Sequence, residues 1–180
     1  MSQSTESTLP QDGCTPAEAW AIFDGLPAAR VRDVVVGRWR GAELPTGHPM
    51  DGSLTESGWY GKQFDGPDDV HPLLFSDERG DIFAVDPRRV PLSLAGKLPA
   101  HWLRPVRNRL RLLAPALRTG KPTARLRDIE YRGVVSAAMI YDHLPIVDHF
   151  RRVDETTLLG VMDMRGLAEP YFFVLRRDQA

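Results

Sequence analysis

The sequence predicts a mainly β protein: an antiparallel β-barrel of about eight to ten strands, with a short N-terminal helix and one inserted amphipathic helix. Three observations carry this. After Gly120, β-branched and aromatic runs recur at 126–131, 134–141, 146–153, 157–163 and 171–177. Turn signals at Arg132-Gly133, Asp154-Glu155 and Arg165-Gly166 separate them, the rhythm of a meander whose closure into a barrel removes exposed edges. Upstream, Val34-Val35-Val36 reads as a strand leading into Gly37-Arg38-Trp39-Arg40-Gly41, where glycines let a strand bend or bulge around a large aromatic ring.

The remaining elements follow in chain order. Thr15-Pro16-Ala17-Glu18 is a capping box with proline at the first helical position, and Ala19, Ile22, Phe23 and Leu26 continue at helical spacing until Gly25 and Pro27 stop the helix. The strand through Trp39 ends near Pro45, and residues 46–58, rich in Gly, Ser and Pro, read as loop with at most one helical turn. Short strands are expected at 59–64, 73–75 and 81–85, with a turn at Glu78-Arg79-Gly80-Asp81. Leu103, Val106, Leu110, Leu113 and Leu117 form the apolar stripe of the inserted helix, with Pro105 in its first turn and Pro115 ending or kinking it.

Composition bounds the function classes. A chain of 180 residues with 42% hydrophobic content and a net charge of -1 is an ordinary soluble domain, long enough to enclose a ligand. Residues 1–14 are expected to be a disordered tail and 15–180 one domain. Met1-Ser2-Gln3-Ser4-Thr5-Glu6 has neither the basic nor the apolar region of a signal peptide, and no stretch has the length of a membrane span, so the expected location is cytoplasmic. Cys14 is the only cysteine, which removes an internal disulfide and a cysteine zinc site; no metal and no cofactor are expected. Ten Lys or Arg between 97 and 132 face only Asp128 and Glu130 in sequence, but no aromatic residues interleave them as base-stacking platforms do. They read as a solvated face, and nucleic acid is not an expected partner.

Beyond the Gly37–Gly41 pentapeptide, Ser57-Gly58-Trp59-Tyr60-Gly61-Lys62, His71-Pro72-Leu73, the block from Met139 to Phe150, Gly160-Val161-Met162-Asp163 and the run from Pro170 to Arg177 share one pattern. Together they resemble a bacterial family with an N-terminal GXWXG part, here 15–95, and a C-terminal DUF4334 part, here 120–177. The resemblance implies an architecture and no activity. A tryptophan in the first strand and a basic residue ending the last also resemble the lipocalin and fatty-acid-binding (calycin) barrels. That resemblance implies that Trp39 packs at the closed end with an arginine across its face, Arg176 or Arg177, while Gly37 and Gly41 shape the strand.

Candidate site residues come from polar groups beside apolar strand faces. Tyr141-Asp142-His143-Leu144-Pro145-Ile146-Val147-Asp148-His149 holds two Asp-His pairs, and an Asp-oriented imidazole is a general base. On a regular strand, neighbours face opposite ways, so Tyr141 and His143 share one face while Ile146, Asp148 and Phe150 share another. Lys62, after Trp59, and Asp163, ending the Leu159, Val161 alternation, are further polar groups beside apolar positions. The primary expectation is a binding protein whose pocket is lined by Trp39, Trp59, Lys62, Tyr141, Asp163 and Phe173. Its partner would be a small hydrophobic or amphipathic molecule: a fatty acid, an isoprenoid or a polyketide-like compound. One alternative is an isomerase or cyclase using His143, His149, Asp142 and Asp148 as proton carriers. A weaker one is haem held by a histidine, implied by likeness to the nitrobindin barrels. The oligomeric state, a homodimer included, stays open.

Overall fold

In the computed structural model, residues 9–34, 37–77, 79–90 and 114–178 are described. Nine strands run in chain order: β1 (Gly37–Glu43), β2 (Trp59–Phe64), β3 (Val70–Ser76), β4 (Ile82–Ala84), β5 (Ala124–Tyr131), β6 (Val134–Tyr141), β7 (Ile146–Arg152), β8 (Thr157–Met164) and β9 (Tyr171–Arg177). All pairings between them are antiparallel, in the order β2-β1-β9-β8-β7-β6-β5-β3-β4, and β2 also pairs with β3. That extra pairing closes eight strands into a ring and leaves β4 as a flap on β3. The expected fold class, a mainly β antiparallel barrel, is the observed one.

Strict alternation builds two apolar layers. In β8, Leu158, Met162 and Met164 face the barrel interior, while Leu159 and Val161 face outward; in β9, Tyr171, Phe173 and Leu175 face in, and Phe172 and Val174 out. The outward set is covered by α1 (Pro16–Gly25), whose capping box forms as the sequence predicts and whose Ala19 and Phe23 are buried against it. Leu9 is buried in the same layer and the Cys14 N–H donates to the Pro45 carbonyl, so this stretch lies on the domain rather than in a tail ending at 14. Among the described residues no helix is long and apolar enough to cross a membrane.

Two expectations change at the ends of the barrel. Val34 belongs to a short helical turn, α2 (Val31–Val34), rather than to the strand, because Val34 is buried in the interior cluster and its carbonyl accepts the Trp39 indole N–H at 3.3 Å. The inserted helix falls almost wholly outside the described residues; what is described of it is a 3-10 turn over Ala114–Leu117. Trp39, 1% exposed, fills the closed end with Phe64 and Phe150. The Arg177 guanidinium lies 4.7 Å from the Trp39 ring centre, whereas Arg176 is exposed, so of the two candidate arginines it is Arg177 that meets the indole.

Candidate functional site

Directly across β1–β2 from Trp39, the barrel interior holds an ion pair where an apolar core is expected. Lys62 Nζ lies 2.8 Å from Asp148 Oδ2, with both side chains almost fully buried (4% and 2% exposed). β2 and β7 are four strands apart in either direction around the eight-strand ring, so this pair bridges opposite walls of the lumen. Lys62 also donates to the Pro72 carbonyl at 3.3 Å. Its ammonium sits over three rings, 5.0 Å from Phe173 and 5.7 Å from Trp59 and Tyr141. Three ring faces offset part of the cost of burying a cation.

Two bulges make this arrangement reachable. Trp59 and Lys62 are three residues apart and in a regular strand would face opposite ways. The β2–β3 register shifts between Trp59 and Gly61, so both point inward. Gly61 is required there: its φ is 151°, and a Cβ would lie 1.9 Å from the Trp39 carbonyl oxygen. A second shift, between Gly61 and Gln63, sets His71-Pro72-Leu73 against it. Pro72, which has no N–H for the ladder, presents its carbonyl to Lys62.

Glycines also seat the aromatic walls. A Cβ on Gly41 would lie 2.1 Å from the Trp59 ring, and one on Gly160 would lie 2.4 Å from the Phe173 ring, its direct cross-strand partner. The second glycine of the GXWXG motif therefore serves a different tryptophan from the one inside it.

Above the ion pair lies a cavity of about 30 Å³, room for about two waters. Trp59, Leu73, Tyr141, Met162, Tyr171 and Phe173 form its walls, and Met50 and Leu54 its roof. Asp148 Oδ1 and the Trp59 indole nitrogen are buried with no hydrogen-bond partner among the described residues. Burial pushes the Asp148 carboxyl above the ordinary carboxylate range, opposed by the Lys62 charge. It raises the Tyr141 phenol far more, with the Asp148 charge adding to the shift.

The roof is held by carboxylates that the sequence reading missed. α3 (Ser53–Ser57) is the single helical turn expected in the 46–58 loop. Glu43, at the end of β1, accepts the Gly52 and Leu54 N–H groups, the Thr55 hydroxyl and, at 2.6 Å, the Tyr171 hydroxyl. Asp51 Oδ2 accepts the N–H groups of Thr46, Gly47 and His48. Loop carboxylates leave no periodicity in a sequence, and only the acidic residues flanking a Gly-rich stretch hinted at them.

The site candidates divide accordingly. The structure brings Trp59, Lys62, Tyr141, Phe173 and Asp148 together at the cavity. Trp39 belongs to the same core and does not itself line the cavity, although its cross-strand partner Lys62 does. Asp142 and His143 are exposed because β6 ends at Tyr141; Asp142 pairs with Arg125 at 3.1 Å. Asp163 and His149 point out of the barrel, since each is one residue off the inward parity of its strand. These four positions do not reach the cavity. Among the described residues no histidine lines it: both ring nitrogens of buried His48 are used, Nδ1 accepting the Met50 N–H and Nε2 lying 3.1 Å from the Glu169 carbonyl.

His149 has a structural place instead. Its ring stacks on Tyr131 at 3.7 Å, near Asp163 at 4.0 Å. Burial lowers its pKa from 6.5 to about 4, opposed by the Asp163 charge. The folded chain then keeps His149 neutral where the unfolded chain protonates it, so stability should fall as pH drops from 6.5 toward about 4. Urea unfolding across that range should show a shallower slope for His149→Phe, which retains the stack. An unchanged slope would assign the acid sensitivity to other groups.

On the surface, four of the five described cations of the basic stretch are paired: Arg118 with Asp77, Arg125 with Asp142, Arg127 with Asp68 and Arg132 with Asp24.

The chain matches two family models: one described as GXWXG protein over residues 21–80, and one described as Domain of unknown function (DUF4334) over residues 122–177. It is similar to a protein from Thermomonospora curvata whose crystal structure is solved, at 32% identity and a TM-score of 0.69 over 93% of this chain and 90% of that one. No curated protein matches it.

Proposed function

This chain belongs to the family that joins a GXWXG part to a DUF4334 part, and on that footing we propose that it holds a small, mainly apolar molecule in the open end of its barrel. The carrying observation is Asp148 Oδ1, a buried carboxylate oxygen without a partner among the described residues, on a side chain that lines an aromatic cavity beside Lys62. A buried polar atom without a partner costs about 1–3 kcal/mol, which a bound molecule can recover. Few polar groups converging on an apolar lining is the pattern of small-molecule recognition. At about 30 Å³ the cavity admits such a molecule only if Met50 and Leu54 swing aside. Met50 is an unbranched, adaptable side chain on the 46–52 loop and Leu54 sits on the single turn of α3 that follows it, the parts of the wall that yield most readily. Of the four acid-base candidates for an isomerase or cyclase, only Asp148 reaches the cavity, which favours binding over turnover.

The neutral fluorophore N-phenyl-1-naphthylamine tests this directly. It should bind saturably at one per chain and quench tryptophan emission, because Trp59 lines the cavity. Leu54→Trp, filling the roof, should weaken binding at least about tenfold while the far-ultraviolet spectrum stays unchanged. Equal binding by that variant, or unsaturable partition, would sink the reading.

A further inference from the structure

We infer that the molecule held at Lys62 and Asp148 is a neutral alcohol, an apolar skeleton carrying a hydroxyl, and that the site rejects carboxylates and ammonium ions. This rests on the cavity being a binding site. The argument is one of charge and of donor counting. Lys62 and Asp148 are a cation and an anion 2.8 Å apart, so the buried pair is already neutral as a unit. A fatty acid would bring a second anion into the same low-dielectric space with no second cation among the cavity-lining residues, and an ammonium would bring a second cation. Glu43 does not rescue an ammonium, since its carboxylate is engaged by three donors of the roof segment and by the Tyr171 hydroxyl.

The unspent hydrogen-bonding capacity has the shape of a hydroxyl. Asp148 Oδ1 accepts nothing among the described residues. An ammonium has three N–H donors; Lys62 gives one to Asp148 Oδ2 and one to the Pro72 carbonyl, which leaves one unspent on a nitrogen ringed by Phe173, Trp59 and Tyr141. One acceptor and one donor therefore stand side by side. A hydroxyl can donate to the first and accept from the second. A ketone satisfies only the donor, and a hydrocarbon neither. Of the ligand classes that suit the barrel, an isoprenoid or similar alcohol fits and a fatty acid does not.

The matched eight-carbon series of 1-octanol, octanoate, octylammonium and octane, measured by isothermal titration calorimetry on the intact chain at neutral pH, separates the outcomes. 1-Octanol should bind at least about tenfold more tightly than each of the other three, the ratio expected for one hydrogen bond to a buried charge. Octanoate binding as tightly as octanol would overturn the inference and leave the binding reading standing. Octane binding as tightly as octanol would do the same. No binding by any of the four, with N-phenyl-1-naphthylamine also excluded, would overturn both. The double variant Lys62→Met/Asp148→Leu, apolar at both positions, should lose the preference for octanol over octane; retention of that preference would place the recognising group elsewhere. The ranking by the parent chain decides alone, whether or not the variant folds.

Discussion

Lys62→Met should lower stability by about 3–5 kcal/mol, a drop in melting temperature of about 6–20 °C for a chain of this size. The cost comes from stranding Asp148, whose carboxyl is almost fully buried and would keep no cationic partner. Asp148→Leu should cost a similar amount by stranding the ammonium. The double variant Lys62→Met/Asp148→Leu should regain most of the loss and could exceed the parent, because two apolar side chains replace a desolvated pair. The two single variants should also differ in pH dependence. In Lys62→Met, the carboxyl can shed its burial penalty by protonating, so its folded pKa lies above the unfolded value. The folded state then binds more protons, and the deficit should grow as pH rises and shrink toward pH ~4. In Asp148→Leu, the amine escapes by losing its proton, its folded pKa lies below the unfolded one, and the deficit should shrink toward pH ~10. Deficits that were equal and flat with pH would mean that neither group is buried as a charge. Additive losses in the double variant would mean that the two residues do not act as a pair.

How much of this was legible in the sequence follows from where alternation holds. β8 and β9 read directly, because inward and outward residues differ at every step, and the same rule separates Asp148 from His149 once β7 is phased on Ile146 and Phe150. His143 departs from its expected face for a physical reason: extending the face of Tyr141 by two residues assumes that pairing continues, and β6 stops at Tyr141. The apolar residues before Asp163 predict an inward face for it, yet Leu159 and Val161 are apolar because α1 covers them from outside. A barrel with a helix on its outer wall has two apolar faces, and alternation alone cannot say which is the lumen. Lys62 and Trp59 were selected individually, but their meeting was not predictable, since it depends on a bulge whose only trace is Gly61. The roof formed by Glu43, Asp51 and α3 left still less, because hydrogen bonds from backbone N–H groups to loop carboxylates need no repeating pattern.

Trp39→Ala should cost about 3–5 kcal/mol, as expected for deleting a large aromatic side chain from a close-packed core. Trp39 is 1% exposed and contacts several layers of the closed end: its indole N–H donates to the Val34 carbonyl, its ring meets Phe64 at 6.5 Å, and Arg177 covers its face at 4.7 Å. Its strand neighbours are Lys62 on β2 and Arg177 on β9, so one residue joins the first strand to both of its neighbours in the ring. Arg177→Ala should cost less, about 0.5–2 kcal/mol, as expected for losing the stack and a hydrogen bond to the Asp33 carbonyl rather than a buried aromatic ring. Trp39→Phe should fall between the two by keeping apolar volume and losing the N–H bond. Thermal and urea unfolding of the three variants test the order, and a melting temperature unchanged in Trp39→Ala would contradict the burial. Because Trp39 lies outside the cavity wall, Trp39→Phe should leave the affinity for N-phenyl-1-naphthylamine unaltered, whereas Trp59→Phe should change it. The motif tryptophan then supports the barrel from its closed end, while Gly41, two residues on, gives Trp59 its place in the wall of the site.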